Sequence, residues 1–228
     1  MGGAVDLRRS DATHHAGRAG GLTAIHAAAA YVGAGHAPFM VAGGVDTFRD
    51  LHVLGTLDLE GRVKSSAHLD GFIPGEGAAF VLLTTLATAR RAGLRPLAAL
   101  TPACVATEPG HLYSEEAYRG EGLAQAVAAL ARSGALPGPV REVWSSMNGE
   151  QHWAKEWGVA YLRNRAAFDP DHGMHHPADC TGDTGAACGA LMVGLAALGV
   201  ADGYRRSPCL VYGSSDDGQR AALGVVAA

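Results

Sequence analysis

The stretch Gly21–Asp46, GLTAIHAAAAYVGAGHAPFMVAGGVD, carries the pattern on which the fold turns. Its first half is alanine-rich, with Leu22, Ile25, Ala29 and Val32 at helical spacing and Gly33 and Gly35 as stops, which predicts a buried helix. Its second half, PFMVAGGV over Pro38–Val45, is a short apolar run closed by glycine and predicts a strand covered on both faces. Further along, GAAFVLLT over Gly77–Thr84 predicts a second buried strand, and Thr85–Ala92 a short basic helix ended by Gly93. Asp50–Leu69, between them, reads as irregular loop. Beyond this block, strands are expected within Leu97–Val105 and over Val140–Ser145, and helices over Glu115–Ser133 and Gln151–Arg165. Thr184–Leu198 reads as a small-residue helix whose start, TGDT, offers Asp and Thr side chains to free N–H groups. The final run from Cys209 reads as two strands around a Gly/Asp turn. Alternating strands and helices predict an α/β layered fold.

With 228 residues, 48% hydrophobic and 18% charged, the chain can bury a sizeable core, and its composition argues against disorder. A net charge of -4 leaves no basic stripe to neutralise phosphates, so neither nucleic acid nor an anionic membrane is expected as a partner. The opening residues hold no apolar core of a leader, and the alanine-rich runs are too short or too glycine-broken to span a bilayer. Cys104, Cys180, Cys188 and Cys209 are scattered, with no CxxC pair, which fits a soluble protein of a reducing cytoplasm with no zinc site or disulfide framework.

Two segments resemble the beta-ketoacyl synthases of the thiolase superfamily: Gly21–Asp46 and DGFIPGEGAAFVLL over Asp70–Leu83. A third, GDTGAACGAL over Gly182–Leu191, is similar to that family's GHTxGAAGAL segment, and the three stand in the family's order. The resemblance implies a thiolase-like layered α-β-α-β-α fold, usually a homodimer, acting on acyl chains carried by an acyl carrier protein or coenzyme A. Relative to the family much of the N-terminal half is missing; residues 1–95 are expected to be the remnant of that half and residues 96–228 the C-terminal half. SSMNGEQHWAKEW and HPADCTGDTGAA also resemble the degenerate ketosynthase-like proteins of bacterial type VI secretion loci.

The departures bear on chemistry. The family's nucleophilic Cys corresponds to Arg18, its first His to Met147 or Asn148, its second His to Asp183 and its associated Lys to Ala178. A helix N-terminus carries partial positive charge, which lowers a thiol's pKa but disfavours a guanidinium unless an acid neutralises it. The resemblance therefore implies a pocket of Arg18, Asn148, Glu150 and Asp183, read either as an anion-binding cluster or as a structural ion pair in an abandoned site. Asn148 and Glu150 also suit a turn and cap for the helix at Gln151. Cys180, with His175 and His176 near in sequence and Asp179 beside it, is a candidate relocated Cys-His pair. Cys188 reads as core. His172, His175, His176, Asp179 and Asp183 match no zinc spacing and read as a solvated loop, so no metal and no cofactor are expected. His14 and His15 flank the vacated position as possible acid or base groups or as a fraying segment. Gly43, Gly44, Gly75 and Gly77 lack phosphate-loop spacing and read as turn and close-packing residues. Trp153 and Trp157, an i, i+4 pair, read as an interface candidate.

Three functions follow as expectations. The first is a non-catalytic scaffold, adaptor or chain-length-factor-like subunit, partnered as a homodimer or with a ketosynthase-like or secretion-related protein. The second is an acyltransferase or 3-oxoacyl-[acyl carrier protein] synthase-like enzyme with a remodelled site using Cys180 or Glu150. The third is a module that binds an acyl chain or coenzyme A without chemistry.

Overall fold

The computed structural model describes residues 16–228; His14 and His15 lie outside them. In chain order the elements are α1 (Gly17–Gly33), β1 (Phe39–Thr47), α2 (Leu51–Leu59), β2 (Glu76–Thr84), α3 (Leu86–Arg91), β3 (Ala99–Leu100), β4 (Cys104–Thr107), α4 (Glu121–Arg132), β5 (Val140–Ser145), α5 (Gln151–Arg163), β6 (Phe168–His175), α6 (Ala178–Thr181), α7 (Ala187–Ala201), β7 (Cys209–Ser214) and β8 (Gln219–Val226). The expected α/β layering is present. A six-stranded mixed sheet runs β3-β8-β7-β5-β6, with β4 also pairing β8. β5 lies parallel to both β6 and β7, whereas β8 is antiparallel to β7. Helix α4, with Leu123, Val127 and Leu130 buried, joins Val140, Val143, Phe168, Leu210 and Tyr212 in a hydrophobic core on one face of this sheet. Helices α1 and α7 cover the other face, and their far side carries an antiparallel β1–β2 pair.

Close approach of small residues makes that inner helix layer possible. A Cβ on Gly44 would sit 2.0 Å from the Ala186 carbonyl oxygen, and one on Gly21 would sit 2.7 Å from the same atom. Both glycines are therefore required by packing, as the sequence reading held for Gly44. The start of α7 is fixed partly from a distance. Asp46 at the end of β1 accepts a hydrogen bond from the Ala186 N–H (2.9 Å), and Asp183 accepts one from the Gly185 N–H (2.9 Å). The Asp of TGDT thus serves as expected, with a second carboxylate supplied by β1.

Four expectations need correction. Asp50–Leu69 is not wholly loop: Asp50 accepts from the His52 and Val53 N–H groups and caps α2, a helix with little apolar periodicity because only Leu57 is buried. The segment holding His172 and His175 is the edge strand β6, held parallel to β5 through Glu142, Val143 and Trp144, so it is not a solvated loop. Neither β1 nor β2 is covered on both faces. Val41, Val45, Phe80 and Leu82 are 51–64% exposed on the side away from α1 and α7, because an apolar run shows what a strand tolerates and not what lies against it. Trp153 and Trp157 belong to the interior: Trp153 is buried, and Trp157 stacks on Tyr212 with centroids 5.2 Å apart.

The two glycine environments predict opposite effects. Gly44→Ala forces a methyl group against a backbone oxygen and is expected to cost about 2 kcal/mol or more. Gly55→Ala, mid-helix with nothing within 4 Å of the added Cβ, is expected to stabilise by about 0.5–1 kcal/mol. Urea unfolding of both variants checks the pair.

Candidate functional site

Arg18 lies in the first turn of α1, where no residue is acidic and no side chain caps the helix. A cation there meets the positive end of the helix and loses hydration as well, so its charge must be offset from elsewhere in the chain. Its Nη1 donates to Asp183 Oδ2 at 2.6 Å, Nε donates to the Ser214 carbonyl at 2.9 Å, and Nη2 pairs with Asp216. Its face covers the Trp153 ring at 4.3 Å. Burial works against the charged guanidinium, but Asp183, Asp216 and Glu150 outweigh it and hold the Arg18 pKa above the ordinary value.

The cluster closes through residues that sequence reading did not select. Arg62, just after α2, grips Glu150 with two hydrogen bonds of 2.8 and 3.0 Å. Its Nη1 also reaches Asp216 Oδ2 at 2.9 Å and the Tyr113 hydroxyl at 2.7 Å. Asn148 bridges the halves, donating from Nδ2 to Glu150 Oε2 at 3.0 Å and to Asp183 Oδ2 at 2.8 Å. The Trp153 indole N–H donates to Glu150 Oε2 at 2.9 Å. Two guanidiniums thus share three carboxylates, Asp183, Glu150 and Asp216. Arg220, its guanidinium 5.5 Å from the Trp153 ring centre, donates to Glu156 at 2.6 Å, and both are fully buried.

Of the expected site residues, Arg18, Asn148, Glu150 and Asp183 are brought together, whereas His176, Asp179 and Cys180 are not part of the network. Asp179 and Cys180 lie exposed on α6. His175 is engaged elsewhere, its Nε2 2.7 Å from Glu142 Oε2. No hydrogen bond joins Cys180 to a histidine among the described residues. Burial pushes the His176 imidazole down, with the nearby Asp179 charge opposing. Cys188 is buried against the Arg18 carbonyl, and burial pushes its thiol far up, which fits a core residue. Asn148 and Glu150 do form the turn before α5, with the Glu150 N–H donating to Asn148 Oδ1 at 3.2 Å, but neither side chain caps the helix. The Gln151 N–H goes to Asp70 Oδ1 at 2.7 Å instead, because the Glu150 carboxylate is taken by Arg62.

Little room is left for a ligand. The cavity beside Asp183, lined by Ser145, Ser146, Thr181, Thr184, Cys188 and Met192 among others, measures about 10 Å³, the space of about one water molecule. The carboxylates of Asp183 and Glu150 are occupied by donors on both oxygens. What this arrangement does chemically is hold α1, α5, α7 and the β7–β8 turn together, and among the described residues of the cluster no general base or thiol is aimed at an open space.

Residues 5–89 match the family model described as the N-terminal domain of beta-ketoacyl synthase. Similar solved structures include a chain of the AntDE:AntF complex, described as a type II PKS acyl-carrier protein in complex with its ketosynthase bound to the hexaketide. That match has a TM-score of 0.83 and 18% identity over 95% of this chain and 63% of that one. The ishigamide ketosynthase/chain length factor matches at TM-score 0.81 and 16% identity over 93% of this chain and 60% of that one. A ketosynthase from module 6 of the bacillaene synthase of Bacillus subtilis 168 matches at 0.80 and 15% identity over 93% and 46%. The chain is thus beta-ketoacyl synthase-like, with the thiolase-like layered fold, and spans less than two thirds of the length of these structures.

Removing one cation from the network leaves buried carboxylates uncompensated. Arg18→Met is expected to destabilise by about 3–5 kcal/mol, read as a lower urea midpoint. Burial opposes ionisation of Glu150 and Asp216, but Arg62 for the first, and Arg18 and Arg62 for the second, hold both carboxyls below the usual range. Their stabilisation is complete above the unfolded-chain values of ~4 and is lost as pH falls below that. Urea midpoints from pH 7 to pH 3 should fall steeply at the acid end, and Glu150→Gln with Asp216→Asn should flatten that fall while lowering stability at pH 7.

Proposed function

We propose that this chain is a non-catalytic ketosynthase-like subunit that works by association, as a scaffold, adaptor or chain-length-factor-like partner of a fuller ketosynthase. The supporting observation is Arg18, which the sequence resemblance puts at the nucleophile's place, held inside a closed network of five charges. Condensation of thioesters requires a thiolate beside an oxyanion-stabilising group and space for the acyl chain. A guanidinium cannot form the acyl-enzyme, and about 10 Å³ cannot admit the chain. The match to a ketosynthase/chain length factor lends this reading a precedent in fold. The division into residues 1–95 and 96–228 as unequal halves of a ketosynthase belongs to the same proposal. So do its candidate partners: a second copy, a ketosynthase-like or secretion-related chain, or an acyl carrier protein.

Intact-protein mass spectrometry after incubation with acetyl-coenzyme A, octanoyl-coenzyme A and an acylated carrier protein tests the silent site. No adduct and no thioester hydrolysis are expected from folded protein. A stable acyl adduct, lost on Cys180→Ser, would overturn the proposal in favour of a relocated nucleophile.

A further inference from the structure

The β1–β2 pair is the least finished part of the molecule. Its outer face presents Phe39, Val41 and Val45 beside Ala78, Phe80 and Leu82, with Val41 opposite Leu82 and Val45 opposite Ala78. Leu51 and Leu59 of α2 are 85% and 90% exposed, and Leu86 of α3 is also exposed, so most exposed large apolar side chains fall between residues 31 and 97. β1 pairs only with β2 among the described residues, which leaves it a second edge with no strand partner.

That edge lacks the devices that block strand addition. β1 contains no proline, lysine or arginine, and its one charge, Asp46, is turned onto the Ala186 N–H. A long strand whose single charge is turned inward and whose edge backbone groups are unpaired is a template for another strand. Charge lies only at the two ends. At the Thr47 end Arg49 is already paired with Glu76 at 3.0 Å. At the Thr84 end, within the ~9 Å length of a six-residue helix, Arg90 and Arg91 close α3, and Arg95 follows. None of these three arginines is ion-paired with another described residue.

A second copy of this chain satisfies only half of these features. Twofold pairing of two β1 edges continues the sheet but leaves the joined apolar face bare. Stacking two faces covers the apolar side chains but leaves both edges open. The face itself is small, since two nine-residue strands make a surface of ~30 by ~10 Å, or ~300 Å². A stable interface takes about 800 Å² from each partner, so the contact must extend over the edge and α2.

We propose that the β1 edge and outer face are completed by a different protein. It adds a strand of alternating apolar residues to β1, covers Val41, Val45, Phe80 and Leu82, and places acidic groups against Arg90, Arg91 and Arg95. The proposal rests on the reading of the chain as an associating subunit; its test is independent of the acyl-transfer assay. A photo-crosslinking amino acid is placed at Val41 or at Leu82 of the full chain in its native cells, with Leu162 of α5, exposed and on the far side of the large sheet, as the control. The linked peptide is then sequenced by mass spectrometry, and amide exchange of residues 39–47 is compared between the isolated complex and the free chain.

The expected result is one heterologous protein, linked through an apolar, acid-flanked strand at Val41 and Leu82 and not at Leu162, with slowed exchange in β1. Phe80→Asp, at an exposed position and with its melting temperature measured alongside, should lower the adduct yield at least tenfold, and Arg90→Glu with Arg95→Glu should lower it several-fold. A link to a second copy or to another segment of the same chain, a partner segment without strand pattern, unchanged β1 exchange, or no adduct at either position would each overturn the proposal. Acyl transfer found together with the expected link would refute the silent site and leave this interface standing.

Discussion

A guanidinium buried at the start of a helix is the constraint around which this molecule is arranged. Desolvation and the helix dipole both disfavour Arg18, and single-handed compensation by one acid would leave donors unmatched. Asp183, Asp216 and the Ser214 carbonyl divide its hydrogen bonds, and Trp153 supplies the surface on which its plane rests. Each acid recruited for Arg18 then needs its own remaining lone pairs satisfied. Asn148, the Gly185 N–H and Arg62 meet that need and in turn bring in Glu150 and Tyr113. Such a network resists partial change because each member's loss exposes another's charge.

The inner helix layer shows the same economy in apolar terms. α1 and α7 are built from alanine, glycine and a few leucines and valines, so two helices fit between two sheets with Gly21 and Gly44 against Ala186. Asp46 and Asp183 both act at the start of α7, one from β1 and one from the loop before the helix. The helix that ends beneath the β1–β2 pair is therefore held at its start by the same carboxylate that neutralises Arg18.

The layered fold was legible because periodicity and glycine stops report burial directly: α1, β5, α5, β7 and β8 fall close to where the sequence puts them. The missed helix α2 had no such signal, since almost all of it faces solvent and its main local mark is Asp50 as a cap. Arg18, Asn148, Glu150 and Asp183 were legible through a family's motif positions, and Arg18 at a helix start by itself demanded an acid. Arg62 and Asp216 were not legible. One follows an exposed helix and the other sits in a turn, both common places for solvated charge, and only the tertiary fold brings them within 3 Å of each other. The bareness of one sheet face was also beyond the sequence, because Val41 and Phe80 look the same whether covered or not.

The span of the charge network sets the order in which the protein can mature on the ribosome. Arg18 and Asp216 are 198 positions apart, with Arg62, Glu150 and Asp183 between them. The arginines emerge first and stay hydrated until the last turn of the chain has been made. The segment carrying the apolar β1 and β2 is therefore outside the ribosome before the contacts that anchor α1 exist. Contacts of such long separation form late and slowly. Chaperone occupancy during synthesis is where that delay would be felt, more than in the finished protein.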